Sequence, residues 1–136
     1  MRLADTVEQV KRGPRIGWRW LAVLSYVAVI FILSAQPGLT VPGTFQYRDK
    51  VAHILEYGGL SLLVWHTARA TWPNEPPLKR ALLAALAISA LGACDEKFQA
   101  SVPMRDSSVY DWTADTTGAL LSQLWGLSRS LRREVG

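Results

Sequence analysis

Between Arg19 and Arg48 the chain carries no charged residue, and most of that stretch, with its first flank, reads WRWLAVLSYVAVIFILSA from Trp18 to Ala35. A run of this kind must be buried, either in a protein core or in lipid, because about 20 predominantly apolar residues are what a helix needs to cross a bilayer. Gln36-Pro37-Gly38 follows and stops the helix. Three further apolar segments lie at Val51–Ala68, Ala81–Cys94 and Thr113–Leu127, and Pro73-Asn74-Glu75-Pro76-Pro77 forms a loop between the second and third. The segmentation predicts one all-α domain, an integral membrane four-helix bundle over residues 18–128, with helices at about 18–36, 50–70, 79–98 and 111–128. Residues 1–17 are expected to form a cytoplasmic N-terminal segment and residues 129–136 a cytoplasmic tail.

Averages conceal this pattern. A chain with 49% apolar residues, 19% charged residues and a mean hydropathy of +0.10 would also fit a soluble protein. Only the first segment approaches spanning length, and the other three carry polar groups near one end. A signal peptide followed by a soluble helical bundle is therefore the competing architecture, since a basic start, an apolar middle and Leu33-Ser34-Ala35 resemble a leader. Leu33, however, is too large for a good cleavage site, and the later segments lack the charged stripe of a soluble amphipathic helix.

The excess of 15 Lys and Arg over 11 Asp and Glu lies at the termini and in loops, with no basic-aromatic face for nucleic acid. Alternate segments hold eleven basic residues on one side (Arg2, Lys11, Arg12, Arg15, Arg19; Arg69, Lys79, Arg80; Arg129, Arg132, Arg133) and four on the other (Arg48, Lys50, Lys97, Arg105). The positive-inside rule then places both termini in the cytoplasm. Trp18, Trp20, Trp65, Trp72 and Trp125 fall near the inner interface and Trp112 near the outer one. One cysteine, Cys94, excludes an intramolecular disulfide and is expected to be a packing residue. His66, beside Trp65, is read as interfacial.

With that orientation the polar residues gather at the outer end. Asp49, His53, Glu56 and Tyr57 lie on adjacent rows of the second helix. The third helix ends Asp95-Glu96-Lys97-Phe98-Gln99, Arg105 and Asp106 follow, and the fourth opens with Asp111 and Asp115. Gly118, Ala119 and Ser122 continue that row as a seam of small residues suited to close helix packing. Glu56 sits roughly 10 Å deeper than Asp49, and Asp115 roughly 6 Å deeper than Asp111, at the helical rise. An ionisable group facing lipid costs about 2–3 kcal/mol even on the lenient insertion scale, so Glu56, His53 and Asp115 should face inward.

Seven acids (Asp49, Glu56, Asp95, Glu96, Asp106, Asp111, Asp115) crowd this end against Arg48, Lys50, Lys97 and Arg105. Crowding perturbs proton affinity, and groups brought near neutrality can act as general acids or bases. His53, Asp49, Glu96 and Asp111 are the candidates for positioning a ligand or handling protons. Arg105, Lys50, Gln99, Tyr57, Glu56 and Asp95 are the candidates for binding it, with Arg105 and Lys50 on an anionic group. Each has a plainer alternative. Asp49 and Lys50 can mark a helix start at the headgroups, His53 can hold helices in register, and Arg105 can pair with Asp106 and Asp111. His53, Asp95, Glu96 and Asp111 could in principle ligate a divalent cation, but no dense two-histidine spacing supports zinc, so no metal and no cofactor are expected.

Asp49-Lys50-x-x-His53-x-x-x-Tyr57 after Ser34-x-Gln36-Pro37 resembles the VanZ-like family, as does Asp95-Glu96-x-x-Gln99-x-x-x-Pro103-x-Arg105 followed by Asp111 and Asp115-Thr116-x-Gly118-Ala119. The resemblance runs from about Ser34 to Leu124. It implies a small multi-pass protein of the bacterial inner membrane with a cell-envelope role, the family being named after an accessory protein of teicoplanin resistance. Asp115 stands where many members carry Asn, which implies that a charge there is no family requirement. The expected partners are the lipid bilayer and an anionic, lipid-linked envelope precursor, with no nucleic acid. Two other functions stay open: a scaffold or accessory subunit whose polar cluster is structural, and a proton-coupled transporter. The transporter needs an inward polar path, for which only Ser61, Ser122 and Gln123 are available.

Overall fold

The computed structural model describes the backbone of residues 3–44 and 46–135 and the side chains of residues 16–44 and 46–133. Four helices, α1 (Leu3–Ser34), α2 (Arg48–Thr71), α3 (Pro77–Gln99) and α4 (Val109–Val135), make up the fold, and the described residues contain no strand. α1 ends at Ser34, just ahead of Gln36-Pro37-Gly38, and the chain turns there with Gly38 at a φ of 64°, a left-handed conformation open to glycine. Pro76 and Pro77 open α3, where a missing N–H costs nothing. Ser108 caps α4: its Oγ accepts from the Tyr110 N–H at 3.1 Å and its carbonyl from Asp111 and Trp112. α4 continues past residue 128 because Ser128-Arg129-Ser130-Leu131-Arg132-Arg133 contains no Gly or Pro to break it.

α2 and α3 each touch all three other helices, while among the described residues α1 meets only α2 and α3. The tightest seam is between α2 and α4. Gly58 and Gly118 face each other so closely that a Cβ on Gly118 would overlap the Ile54 carbonyl oxygen. Along the seam the Ser122 hydroxyl donates to the Gly58 carbonyl (2.9 Å), that of Ser61 to the Ala119 carbonyl (2.9 Å), and the Gln123 amide to Ser61 (2.9 and 3.0 Å). The three polar residues below Glu56 and Asp115 are thus used as fasteners between helices. Farther down, Trp65 is buried, only 3% exposed, against Gly126, and so does not sit at an interface. α1 adds Val23 and Ile30 to a cluster with Tyr57, Leu60, Ile88 and Ala119, and ties to α2 through Tyr26 on the Glu56 carbonyl (3.0 Å) and Trp20 on Thr71 (3.0 Å).

The polarity of the molecule is inverted relative to a soluble bundle. Asp95, Glu96, Asp111, Asp115, Arg80, Gln99 and Gln123 are buried, while Leu21, Leu24, Ile32, Leu82, Leu83, Leu86, Leu121 and Leu124 are exposed. In α3 the alanines Ala81, Ala84 and Ala85 face inward with Leu91, while Leu78, Leu82, Leu83 and Leu86 face outward. Cys94 is exposed as well and takes no part in the core. Two helical stretches, Ile16–Ser34 and Pro77–Gln99, are long and apolar enough to cross a membrane.

Candidate functional site

α1 and α3 deliver their C-terminal ends, and α2 and α4 their N-terminal ends, to the same pole of the bundle. The polar side chains there form two linked groups. The first joins α2 to α4. His53 Nδ1 lies 2.8 Å from Asp115 Oδ1, and its Nε2 lies 3.9 Å from Asp111 Oδ1. Lys50, one turn earlier, donates to Asp111 and also reaches Asp49 at 2.9 Å. The order Asp49, Lys50, Asp111, His53, Asp115 is therefore a continuous chain of charged or ionisable groups running from the surface to a carboxylate with no exposure.

The second group joins α1 to α3. Asp95 Oδ2 accepts from the Ser34 hydroxyl and from the Gln99 amide, both at 2.9 Å, and Gln99 also reaches Ser34 at 3.2 Å. The Tyr57 hydroxyl is beside this carboxylate and fully buried. Glu96, next to Asp95, turns toward the first group. Its Oε2 accepts from the Ser108 N–H at 2.8 Å, which fastens the α3–α4 loop over the site. Glu56 is half-buried within electrostatic reach of His53, Asp95, Asp115 and Arg105.

All ten of the residues expected at the site stand at this pole, but they are not equally placed to act. Asp49 is half exposed, and Lys50 is occupied by two carboxylates. Arg105 donates from Nη1 to the Leu39 carbonyl (3.0 Å), which pins the α1–α2 loop, and its Nε is buried without a partner. Asp106 is exposed and makes no ion pair with Arg105. Asp115, expected inward on cost alone, is the residue on which His53 bears. Ser34 and Ser108 were not among the candidates. The only signal for Ser34 is its place in the Ser34-x-Gln36-Pro37 pattern, and Ser108 works through its backbone N–H, on which the sequence is silent.

Five buried polar atoms of this pole have no hydrogen-bond partner of good geometry among the described residues: the Tyr57 hydroxyl, Asp95 Oδ1, Glu96 Oε1, Arg105 Nε and Asp115 Oδ2. One nitrogen of His53 and one carboxylate oxygen each of Glu96 and Asp115 lie within 4.8 Å of one another. The arrangement can hold a cation or shuttle a proton between imidazole and carboxylates.

The opposite pole is cationic. A pocket of about 640 Å³ there is lined by Arg19, His66, Arg69 and Arg133, and Arg80, nine-tenths buried, holds the carbonyls of Trp72 (2.6 Å) and Pro73 (3.2 Å). Between the poles an apolar groove of about 470 Å³ runs along Trp20, Val27, Leu60, Val64, Leu83 and Ile88. Compared with family models, curated proteins and solved structures, the chain matches none.

Proposed function

We propose that this chain is a VanZ-like integral membrane protein of the bacterial inner membrane, with four spanning helices and both termini in the cytoplasm. Its polar chamber opens on the envelope side and binds or modifies an anionic envelope component such as a lipid-linked glycan precursor. The observation that carries the placement is the inverted polarity: acids inside, leucines outside. Contiguous exposed apolar surface of this extent is unfavourable in water and ordinary in lipid. The polarity of the ends fits as well, for the cationic pole suits the cytoplasmic face and the acidic pole the outer one.

At the outer pole, the His53–Asp115 pair can accept and return a proton, with Asp111 3.9 Å from the other nitrogen of the ring. Lys50, held by Asp49 and Asp111, and Arg105, held by the Leu39 carbonyl, supply positive charge at this pole. Glycopeptide susceptibility is the phenotype to score. Single cysteines at Ser108 and Asn74 in a Cys94→Ser background, treated in intact cells with an impermeant thiol reagent, test the placement. Labelling at 108 and not at 74 is expected, and labelling at 74 alone overturns it. Unchanged folding and phenotype in both His53→Ala and Arg105→Ala would remove the functional half of the proposal.

A second function is favoured by the interhelical bonding itself. Ser34–Asp95, His53–Asp115 and Lys50–Asp111 each join two helices, as expected of a scaffold whose polar residues hold it together. That function predicts that His53→Ala lowers the yield of folded protein and leaves the activity per folded molecule intact.

A further inference from the structure

We propose that His53, Glu96 and Asp115 form a binding site for one divalent cation of the Zn²⁺ or Mn²⁺ class. Three different helices bring one donor atom apiece to within 4.8 Å of the others. For three atoms no farther apart than that, a point exists within 4.8 Å/√3, about 2.8 Å, of all of them. Zinc binds imidazole nitrogen and carboxylate oxygen at about 2.0–2.2 Å, so side-chain movements of well under 1 Å close the set.

Charge argues for the same occupant. Glu96 and Asp115 are 6% and 0% exposed, and neither forms an ion pair with Lys or Arg among the described residues. Lys50, the nearest ammonium, is held by Asp49 and Asp111, and Arg105 is tied to the Leu39 carbonyl. Among the described residues the one basic group paired with either is His53, 2.8 Å from Asp115; two buried carboxylates are costly with a single imidazole to offset them, and a dication neutralises both. Each also keeps a buried oxygen, Glu96 Oε1 and Asp115 Oδ2, that no protein donor meets. At Asp115 the room is reserved by Gly92, because any Cβ there would come within 3.0 Å of Oδ2.

The outer shell is partly in place. The second nitrogen of His53 lies 3.9 Å from Asp111 Oδ1, and Glu96 Oε2 is anchored by the Ser108 N–H. Such partners orient ligands and fix the imidazole tautomer. Asp95, which the sequence offers as a fourth donor, is turned to Ser34 and Gln99 instead. One nitrogen and two oxygens, with no thiolate, suit Zn²⁺ or Mn²⁺ better than the all-oxygen ions Ca²⁺ and Mg²⁺. Three protein ligands leave positions open, as in reactive metal sites and unlike closed structural ones. A cation there would let an acid-lined chamber receive an anionic group by direct coordination. That last step rests on the envelope function proposed above; the cation site itself does not.

Full-length protein, stripped of metal in detergent, is titrated with Mn²⁺ and, separately, Zn²⁺, with bound metal read by elemental analysis and Mn²⁺ by its paramagnetic resonance. One equivalent is expected. His53→Ala and the near-isosteric Asp115→Asn and Glu96→Gln should each weaken binding by about a hundredfold or more, since loss of an outer-shell partner alone costs roughly 10–100-fold. His66→Ala, at the opposite pole, should bind as the parent does. Folding of each variant is checked by gel filtration, and the two isosteric changes test the site even where His53→Ala fails to fold. Absence of stoichiometric binding in the parent, or binding that survives all three ligand changes in folded protein, overturns the proposal. If the metal binds but position 74 alone is labelled, the envelope function falls and the cation site stands. If position 108 is labelled and no metal binds, the reverse holds.

Discussion

Replacing Gly118 with alanine puts a methyl group onto the Ile54 carbonyl oxygen and within 3.0 Å of the Gly58 nitrogen and the Ile54 carbonyl carbon. These are backbone atoms of a helix, so no rotamer change relieves the overlap, and α2 and α4 must separate by about 1 Å to restore ordinary contact. Overpacking of this kind costs about 1–3 kcal/mol. The same separation stretches the bonds from Ser122, Ser61 and Gln123 across the seam, each worth about 0.5–1.5 kcal/mol. Alanine returns up to about 1 kcal/mol in helix propensity. The net expectation is a loss of about 2–4 kcal/mol, or a fall of roughly 10 °C in Tm for a chain of this size. Gly58→Ala is the matched control. Its Cβ would meet the Ser122 Oγ at 3.4 Å and the Gly118 carbonyl oxygen at 3.5 Å, both ordinary contacts, so it should melt at or above the parent temperature. Thermal melts of the two variants in one detergent decide the matter. Equal losses, or a Gly118→Ala protein as stable as the parent, would refute the close approach of α2 and α4 at this position.

Gly59→Ala should cost about 1–2 kcal/mol, because the new Cβ falls 2.6 Å from the Tyr26 hydroxyl; in a Tyr26→Phe background, which lacks that hydroxyl and its bond to the Glu56 carbonyl, the same change should cost little in the same melts. Arg80→Ala leaves the carbonyls of Trp72 and Pro73 without their donor and should cost about 2–3 kcal/mol, with faster proteolysis of the 72–76 loop as an independent readout. Ser34→Ala removes one of two donors to Asp95 and should cost about 1–2 kcal/mol. The Ser34→Ala loss should shrink when Asp95 is also changed to Asn, in a double-mutant cycle read by the same melts.

How much of this was legible beforehand varies by element. Gln36-Pro37-Gly38 and the Pro73–Pro77 stretch mark helix ends by local chemistry alone, and the structure ends α1 and begins α3 there. The small residues at 118, 119 and 122 announced a close crossing, since only a lack of side-chain bulk permits one. α3 resisted because nearly every position is apolar; whether Ala or Leu faces inward depends on how close its neighbours come, and they come close enough that the alanines win. Trp65 near a helix end looks interfacial until Gly126, 61 residues away, is seen to make room for its ring. The acidic pole was located by the cost of stranding ionisable groups, but its internal pairing was not. Whether His53 bears on Glu56 or Asp115, and whether Lys50 is free, depends on helix rotations that a single sequence does not encode.

The seam between α2 and α4 also bears on how the protein is made. Its bonds connect residues 58 to 64 apart in the chain, and α3 lies between. Once Thr71 has been added, the ribosome must still produce everything to Val135 before α4 is complete, roughly 3–13 s at 5–20 residues per second. For much of that interval His53 lacks Asp115, Lys50 lacks Asp111, and the Gly58 and Ser61 carbonyls lack the side chains that close on them. A three-helix nascent chain is therefore the form in which buried charge is least protected, and the one that a chaperone would need to shelter or a quality-control protease would recognise.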